Sequence, residues 1–499
     1  MLVRWVGVVL LLLCGAAQAL TQDEARAVAA GENDERIAAL HKALATGDAA
    51  LAPFVQALPA ALLPEGAEDV VNNNRMRREL DAAMAAVRLF SADRNERAAA
   101  IALLRDRADE AMLPLIAKAK AAEGDADLKA QLDRLEATVL IASDDPARRL
   151  AAARALGASD QSAVRSLLLE RLAAGVESDA QVRAALRASI DAVESRLAWG
   201  ERLGLLFTGV SLGSILLLVA LGLAITYGLM GVINMAHGEL MMIGAYATWL
   251  VQDAFRAWFP GAFDAYILAA IPASFLASAL VGAVLERTVI RWLYGRPLET
   301  LLATWGISLV LMQAVRSLFG AQNVQVENPS WMSGGVAVAS NLTLPYNRIA
   351  IVVFAALVLA AMALLIAKTR LGLFVRGVTQ NRRMAACTGV DTARVDTYAF
   401  ALGAGIAGLA GCALSQVGNV GPDLGQSYIV DAFMVVVLGG VGQLAGTVVA
   451  ALGLGVLNKL LEGWAGAVLA KIMVLVFIVV FIQKRPQGLF AMKGRSAEA

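Results

Sequence analysis

Asn234, His237 and Glu239 fall within six residues in the run Ile233-Asn234-Met235-Ala236-His237-Gly238-Glu239, with apolar sequence on both sides. An amide, an imidazole and a carboxylate can donate and accept hydrogen bonds and exchange protons. At membrane depth each is costly unless it lines a wet cavity or faces other protein. Gly238, with Gly244 in Met242-Ile243-Gly244-Ala245-Tyr246, permits a broken helix here, and irregular backbone persists in a membrane only where it is buried or wet. Gln416 and Asn419 are two more uncharged polar groups, after a later apolar stretch. Gly439, Gly440, Gly442 and Gly446 mark a second place where a helix either breaks or packs closely on a neighbour. Such groups suit the passage of a small polar solute. Nucleotide hydrolysis by the chain itself is not expected, because it has no G-x-x-x-x-G-K-[ST] phosphate loop.

The elements that must hold these groups are apolar helices. A hydrocarbon core takes about 20 apolar residues per span. The stretches 205–226, 230–250, 266–285, 301–319, 349–367, 399–417, 433–457 and 464–482 qualify. Lys and Arg divide the loops between them into two groups. Residues 287–297 carry three (Arg287, Arg291, Arg296), 368–397 carry six and the tail from Lys484 four; 253–264, 320–347 and 418–430 carry one, none and none. Thirteen against one puts the first group in the cytoplasm. An exported N-terminus and a cytoplasmic tail require an odd number of spans, yet these stretches number eight. The miscount falls after Tyr428. Either 433–446 is a half-helix that re-enters, or the sequence to Ile482 holds three short crossings.

The first 200 residues differ in composition, being rich in Ala, Arg, Asp and Glu. Arg4, an apolar core from Val6 to Cys14 and the small-x-small site Ala17-Gln18-Ala19 read as a secretory signal over 1–19. An uncleaved signal anchor would export the same segment. Residues 20–200 are helical in period, and Arg97-Ala98-Ala99-Ala100-Ile101 aligns with Arg149-Leu150-Ala151-Ala152-Ala153 at an offset of 52. Paired short helices at such a period resemble HEAT-type repeats; an Ala-rich bundle would give the same pattern. This segment holds no metal-ligand cluster or nucleophile constellation and reads as a docking or spacer domain. A net charge of +1 gives no hint of nucleic-acid binding, and three cysteines (Cys14, Cys387, Cys412) define no disulfide framework. The fold class is therefore all-α: an exported helical domain (20–200), a polytopic membrane domain (203–490) and a short cytoplasmic tail (491–499).

The N-x-A-H-G-E run followed by Gly244-Ala245-Tyr246 resembles the signature of the branched-chain amino-acid permease family of ATP-binding-cassette importers. Glu286-Arg287, Arg296-Pro297-Leu298, Leu438-Gly439-Gly440-Val441-Gly442 and Arg485-Pro486-Gln487-Gly488-Leu489-Phe490 extend the resemblance over nearly all of 203–490. Gly377-Val378-Thr379-Gln380-Asn381-Arg382, Asn328-Pro329-Ser330-Trp331 and Gly418-Asn419-Val420-Gly421-Pro422 are similar to the B-type urea-permease branch, whose members also carry a signal peptide and an exported extension. The resemblance implies an inner-membrane assembly of this chain with a second permease subunit, two ATPase subunits and a periplasmic substrate-binding protein. In such an assembly ATP is used by the partners and this chain binds no cofactor. Within 368–397, Met384-Ala385-Ala386-Cys387-Thr388-Gly389 resembles an importer's coupling helix, though Met stands where the family has an acid and the spacing is shorter. Thr379 or Asn381 can cap that helix and Gly389 can end it in left-handed geometry. Thr379, Gln380, Asn381, Arg382, Arg383, Ala385, Ala386 and Gly389 are the residues expected to meet the ATPase, and Asn234, His237, Glu239, Gln416 and Asn419 those expected along the path.

The expected function is thus import of urea, a small neutral solute with one carbonyl acceptor and four N–H donors. The same machine carrying short amides or branched-chain amino acids is an alternative. A stand-alone channel or secondary transporter, or an envelope scaffold, belongs to other classes; co-purification with an ATPase separates these from a permease subunit.

Overall fold

A computed structural model describes residues 33–45, 74–105, 107–173 and 176–490. The expected signal and the tail 491–499 lie outside the described residues. The chain forms two compact units, up to Trp199 and from Gly200.

The first unit contains α1 (Asn33–Ala45), α2 (Asn74–Arg88), α3 (Arg94–Leu104), α4 (Leu113–Ala122), α5 (Ala126–Leu140), α6 (Pro146–Leu156), α7 (Ser162–Leu172) and the opening turns of α8 (Ala180–Met230). The 52-residue period is built by side chains. Asp93 and Asp145 accept hydrogen bonds from the backbone two residues on, capping α3 and α6. Arg97 donates from Nε and Nη2 to Glu123 at 2.8 and 3.1 Å, and from Nη1 to the carbonyls of Ser91 and Ala92. Arg149 repeats this on Glu177 at 2.7 and 2.9 Å, and on the carbonyls of Ser143 and Asp144. Two residues beyond each glutamate, Asp125 and Asp179 cap the next helix, each accepting two backbone N–H groups. Each period therefore holds three helices, where paired helices were expected. Leu104, Ile116, Leu156 and Leu168 occupy equivalent core positions with no exposed surface.

The second unit has nine helices of 16 residues or more among the described residues: the rest of α8, α9 (His237–Trp258), α10 (Tyr266–Thr288), α11 (Pro297–Phe319), α12 (Tyr346–Lys368), α15 (Thr392–Ser415), α16 (Leu424–Gly439), α17 (Leu444–Ala465) and α18 (Ala467–Lys484). Seven of the nine are long and apolar enough to cross a membrane; α9 and the 16-residue α16 complete the set. Two short helices, α13 (Arg370–Gln380) and α14 (Arg382–Cys387), lie between α12 and α15. A hairpin of β1 (Gly335–Ala339) and β2 (Leu342–Pro345), antiparallel with Gly335 opposite Pro345, precedes α12.

The eight expected stretches are corrected after Tyr428, where three helices stand in place of two stretches. The stretch 433–457 is not one span: α16 stops at Gly439 and α17 starts at Leu444. Gly440 (φ 98°) and Gly442 (φ 78°) adopt left-handed conformations open to glycine. The tail motif locks this break, since Leu489 N–H donates to the Leu438 carbonyl at 2.8 Å and Gly488 lies against Gly440. Gly439 and Gly446 then meet backbone to backbone; a Cβ on Gly446 would lie 1.9 Å from the Gly439 carbonyl oxygen.

Candidate functional site

The chain leaves α8 through Gly231 (φ 66°) and enters α9 at His237, so residues 231–236 form an irregular turn. Asn234 Oδ1 accepts from Ala236 N–H at 3.1 Å, and its carbonyl accepts from His237 N–H at 3.3 Å. Two hydroxyls on one face of α11 hold the turn from outside. Thr304 Oγ1 accepts from Met235 N–H at 3.1 Å, and Ser308, one helical turn further, donates to Glu239 Oε1 at 2.9 Å. His237 Nε2 lies 3.2 Å from the Val219 carbonyl of α8. A carbonyl only accepts, so Nε2 carries a proton, and in the neutral ring Nδ1 is then a bare acceptor. Gly222 makes room for that ring: a Cβ there would lie 2.9 Å from Nε2.

Asn234, His237 and Glu239 are 1%, 0% and 1% exposed, so none of them is solvated in this chain. Asn234 Nδ2, His237 Nδ1, Glu239 Oε2 and the Tyr246 hydroxyl are buried and find no hydrogen-bond partner among the described residues. Tyr246 follows Glu239 by two turns on the same face of α9, roughly 10 Å along the axis, with its ring stacked 4.9 Å from that of Phe319. Buried polar groups are normally satisfied. Asn234 Nδ2 and the Tyr246 hydroxyl are thus two spare donors, and His237 Nδ1 and Glu239 Oε2 two spare acceptors.

Gly238 and Gly244 do not break the helix. Both lie within α9 and serve close packing: Cβ atoms there would fall 2.4 Å from the Gly425 carbonyl oxygen and 2.3 Å from that of Gly408. Gln416 and Asn419 are not brought to the turn. Gln416 caps the far end of α15, where its Oε1 accepts from Tyr266 at 3.1 Å, its Nε2 donates to Ser415 at 3.2 Å and its carbonyl accepts from Asn347 at 3.1 Å. Those bonds tie helix ends together and give both polar atoms of the side chain a partner. Asn419 is exposed in the loop whose Val420 pairs with Val324.

At the opposite end of α10 and α15 lies the short α14. Asn381 caps it, accepting from Met384 N–H at 3.0 Å, and Gly389 (φ 87°) follows its last turn. Thr379 plays no part in the cap; its hydroxyl donates to the Val375 carbonyl within α13. Ala385 faces inward against Leu229, Val378, Val395 and Ala399, whereas Arg383, Met384, Ala386 and Cys387 are exposed. The presented face is therefore narrower than an Ala385–Ala386 pair would give. Gln380 is exposed beside a cavity of about 580 Å³ that Gly228, Arg376, Thr379, Gly442 and Gln443 also line.

One cluster at this end was not foreseen. Glu286 of α10 and Asp396 of α15 are both fully buried. Glu286 accepts from the Tyr294 hydroxyl at 3.0 Å and from Thr397 at 2.7 Å, with Arg291 at 3.9 Å. Arg382, the first residue of α14, donates from Nη1 to Asp396 at 3.3 Å and also pairs through Nη2. Its guanidinium sits 5.3 Å over the Tyr294 ring. Burial, reinforced by the Asp396 and Glu286 carboxylates, pushes the Tyr294 phenol above its ordinary value, so it stays a donor. Acids close to the ends of apolar stretches were the available signal; their partners lie up to 111 residues away.

The family described as "Branched-chain amino acid transport system / permease component" matches residues 205–482. The high-affinity branched-chain amino acid transport system permease protein LivH of Salmonella typhimurium is 29% identical over 294 residues, 57% of this chain and 94% of that protein. BraD of Pseudomonas aeruginosa, with the same description, is 30% identical over 257 residues, covering 50% of this chain and 83% of the relative. The probable LivH permease of Methanocaldococcus jannaschii is 23% identical over 310 residues, 58% of this chain and 92% of its own length. Little of these relatives is left to pair with the first unit, which lies outside the family match. No solved structure matches the chain significantly. With more than half of its length matched and its apolar helices in place, the chain is a multi-pass membrane protein that belongs to the permease-component family of branched-chain amino acid transport systems.

Proposed function

We propose that the chain is a permease subunit of an ATP-driven importer and that its solute is urea. The observation that carries this reading is the set of buried polar atoms on α9 and the turn before it that find no partner among the described residues. Asn234 Nδ2 and the Tyr246 hydroxyl can meet a carbonyl, and His237 Nδ1 and Glu239 Oε2 can meet N–H groups. Urea offers both on a molecule with no net charge. The sequence likeness of 328–331, 377–382 and 418–422 to urea permeases points the same way, as does a first unit outside the family match. The exposed face of α14 suits a groove in a separate ATPase subunit, and a second permease and a periplasmic binding protein would complete the assembly. The loop charges put α14 and the tail in the cytoplasm and the first unit outside.

The names of the relatives favour a second reading, in which the same machine carries branched-chain amino acids. Uptake in cells deleted for the chain separates the two. Low external concentrations of labelled urea should stop entering and should enter again when the gene is restored. Glu239→Gln should assemble but carry urea about tenfold more slowly, the equivalent of one charge-assisted hydrogen bond. Undiminished urea entry in the deletion strain, with labelled leucine entry lost, would replace the first reading by the second.

A further inference from the structure

The cluster of Glu286, Asp396, Tyr294 and Arg382 is unused by any step so far, and it joins α14 to the membrane helices. α14 has only six residues, too few to hold its own orientation. Its backbone continues from α13 through an extended Asn381 (φ −151°, ψ 99°), a joint that would let it swing. Beside the packing of Ala385 against Leu229, Val378, Val395 and Ala399, Arg382 restricts that freedom with a two-nitrogen contact on Asp396 of α15 and a face contact on Tyr294, whose hydroxyl bonds Glu286 of α10. Thr397 of α15 bonds the other oxygen of Glu286, closing the circuit between the two long helices.

Those same two helices grip the start of α9. Ser278 of α10 donates to the Leu240 carbonyl at 2.8 Å. Cβ atoms on Gly408 and Gly411 of α15 would fall 2.4 Å from the Ser274 carbonyl oxygen and 2.0 Å from that of Met241. With such contacts the three helices cannot slide past one another without backbone collisions. These contacts form a continuous path from α14 through Arg382 to α10 and α15, and from them to the helix that begins at His237.

We propose that Arg382, through Asp396 and the Glu286–Tyr294 pair, is the positioning residue that makes α14 a rigid lever on the Asn234–Glu239 turn. This rests on the reading of α14 as the ATPase-facing helix. The function assigned to the cluster is coupling: solute moved per ATP consumed, distinct from assembly and from ATP hydrolysis itself.

Asp396→Asn is the variant to make first. It leaves no unpaired buried charge, because Arg382 is 42% exposed and can turn to water. In the purified, reconstituted complex, ATP hydrolysis should persist while labelled urea, with labelled leucine in parallel, moves at least about tenfold less per ATP. Spin labels on Cys387 and on an Arg287→Cys substitution should report a narrow distance distribution in the parent and a broad one in Asp396→Asn. The double variant Arg382→Gln with Asp396→Asn, which also loses the face contact on Tyr294, should be at least as impaired as the single. A parental transport ratio with a narrow distance distribution in Asp396→Asn would overturn the proposal. So would failure of both variants to accumulate, which would make the cluster a folding requirement. Ala386→Arg tests the underlying reading separately. If ATPase subunits still co-purify with it, α14 is not their docking helix, whereas the spin-label distances still report whether Arg382 fixes α14.

Discussion

Gly244 and Gly306 are both helical glycines, and their surroundings are opposite. A Cβ on Gly244 would lie 2.3 Å from the Gly408 carbonyl oxygen and 2.4 Å from its Cα, atoms that cannot rotate away. On Gly306 of α11 it would meet nothing within 4 Å. Gly244→Val should therefore force α9 from α15 and remove the protein from the membrane. Gly306→Ala should accumulate normally and gain about 0.5–1 kcal/mol from a stiffer unfolded chain. Immunoblots of membrane fractions, with thermal melts of the purified second variant, check both; normal levels of Gly244→Val would contradict the packing. At this scale the sequence was half legible. Side chains at 234, 237 and 239 announced a buried polar turn by type alone. Their partners did not announce themselves, because Val219 and Ser308 are unremarkable apolar and hydroxyl residues brought in from other helices. Nor does a glycine say whether it is needed for its φ or for its missing Cβ. For that reason Gly238 and Gly244 read as breaks, while the actual break uses Gly231.

The clasped helices of the first unit show what a repeat can and cannot reveal. Its period was legible because Arg97 and Arg149, with the leucines after them, recur at one offset. The third helix of each period was not, since α3 and α4 span only 11 and 10 residues and meet through a short 3-10 turn, Glu110–Met112. The carboxyls of Glu123 and Glu177 are held below the usual glutamate range, first of all by hydrogen bonds from Arg97 and Arg149. A carboxyl depressed in the folded state contributes stability that is fully present above its unfolded pKa and lost as pH falls through its folded one. The loss should begin below about pH 4.3, the ordinary glutamate value. Hydrogen exchange on the full chain should show the backbone at 91–97 and 123–128, and at 143–149 and 177–182, losing protection together as the pH falls through that range. In Glu177→Gln the second pair should open at neutral pH and the first should not. Simultaneous opening of both pairs in that variant would mean the periods are not independently clasped.

At the largest scale, two ends of the second unit can be told apart by what gathers there. Around α14 lie the Tyr294 loop, the Gly440–Gln443 break and the Arg485–Phe490 motif; at the other end Gln416, Tyr266 and Asn347 meet, with Val324 and Val420 paired. Loop charge predicted this grouping, because positive residues collect on one side whatever the fold. Charge could not count the helices after Tyr428, since the turns at 440–443 and at Gly466 carry none. The coupling joint was hidden for a different reason: its residues come from α10, α14, α15 and the loop after α10, and only packing unites them. We propose that this chain, with separate ATPase subunits, carries a small neutral solute inward at the expense of ATP. The direct measurement is uptake of labelled urea into proteoliposomes holding the purified complex and a saturating binding protein, with and without ATP, beside labelled leucine. Urea should accumulate only with ATP, undiminished by excess leucine. Urea entry that ignores ATP, or ATP-driven entry of leucine and none of urea, would contradict it.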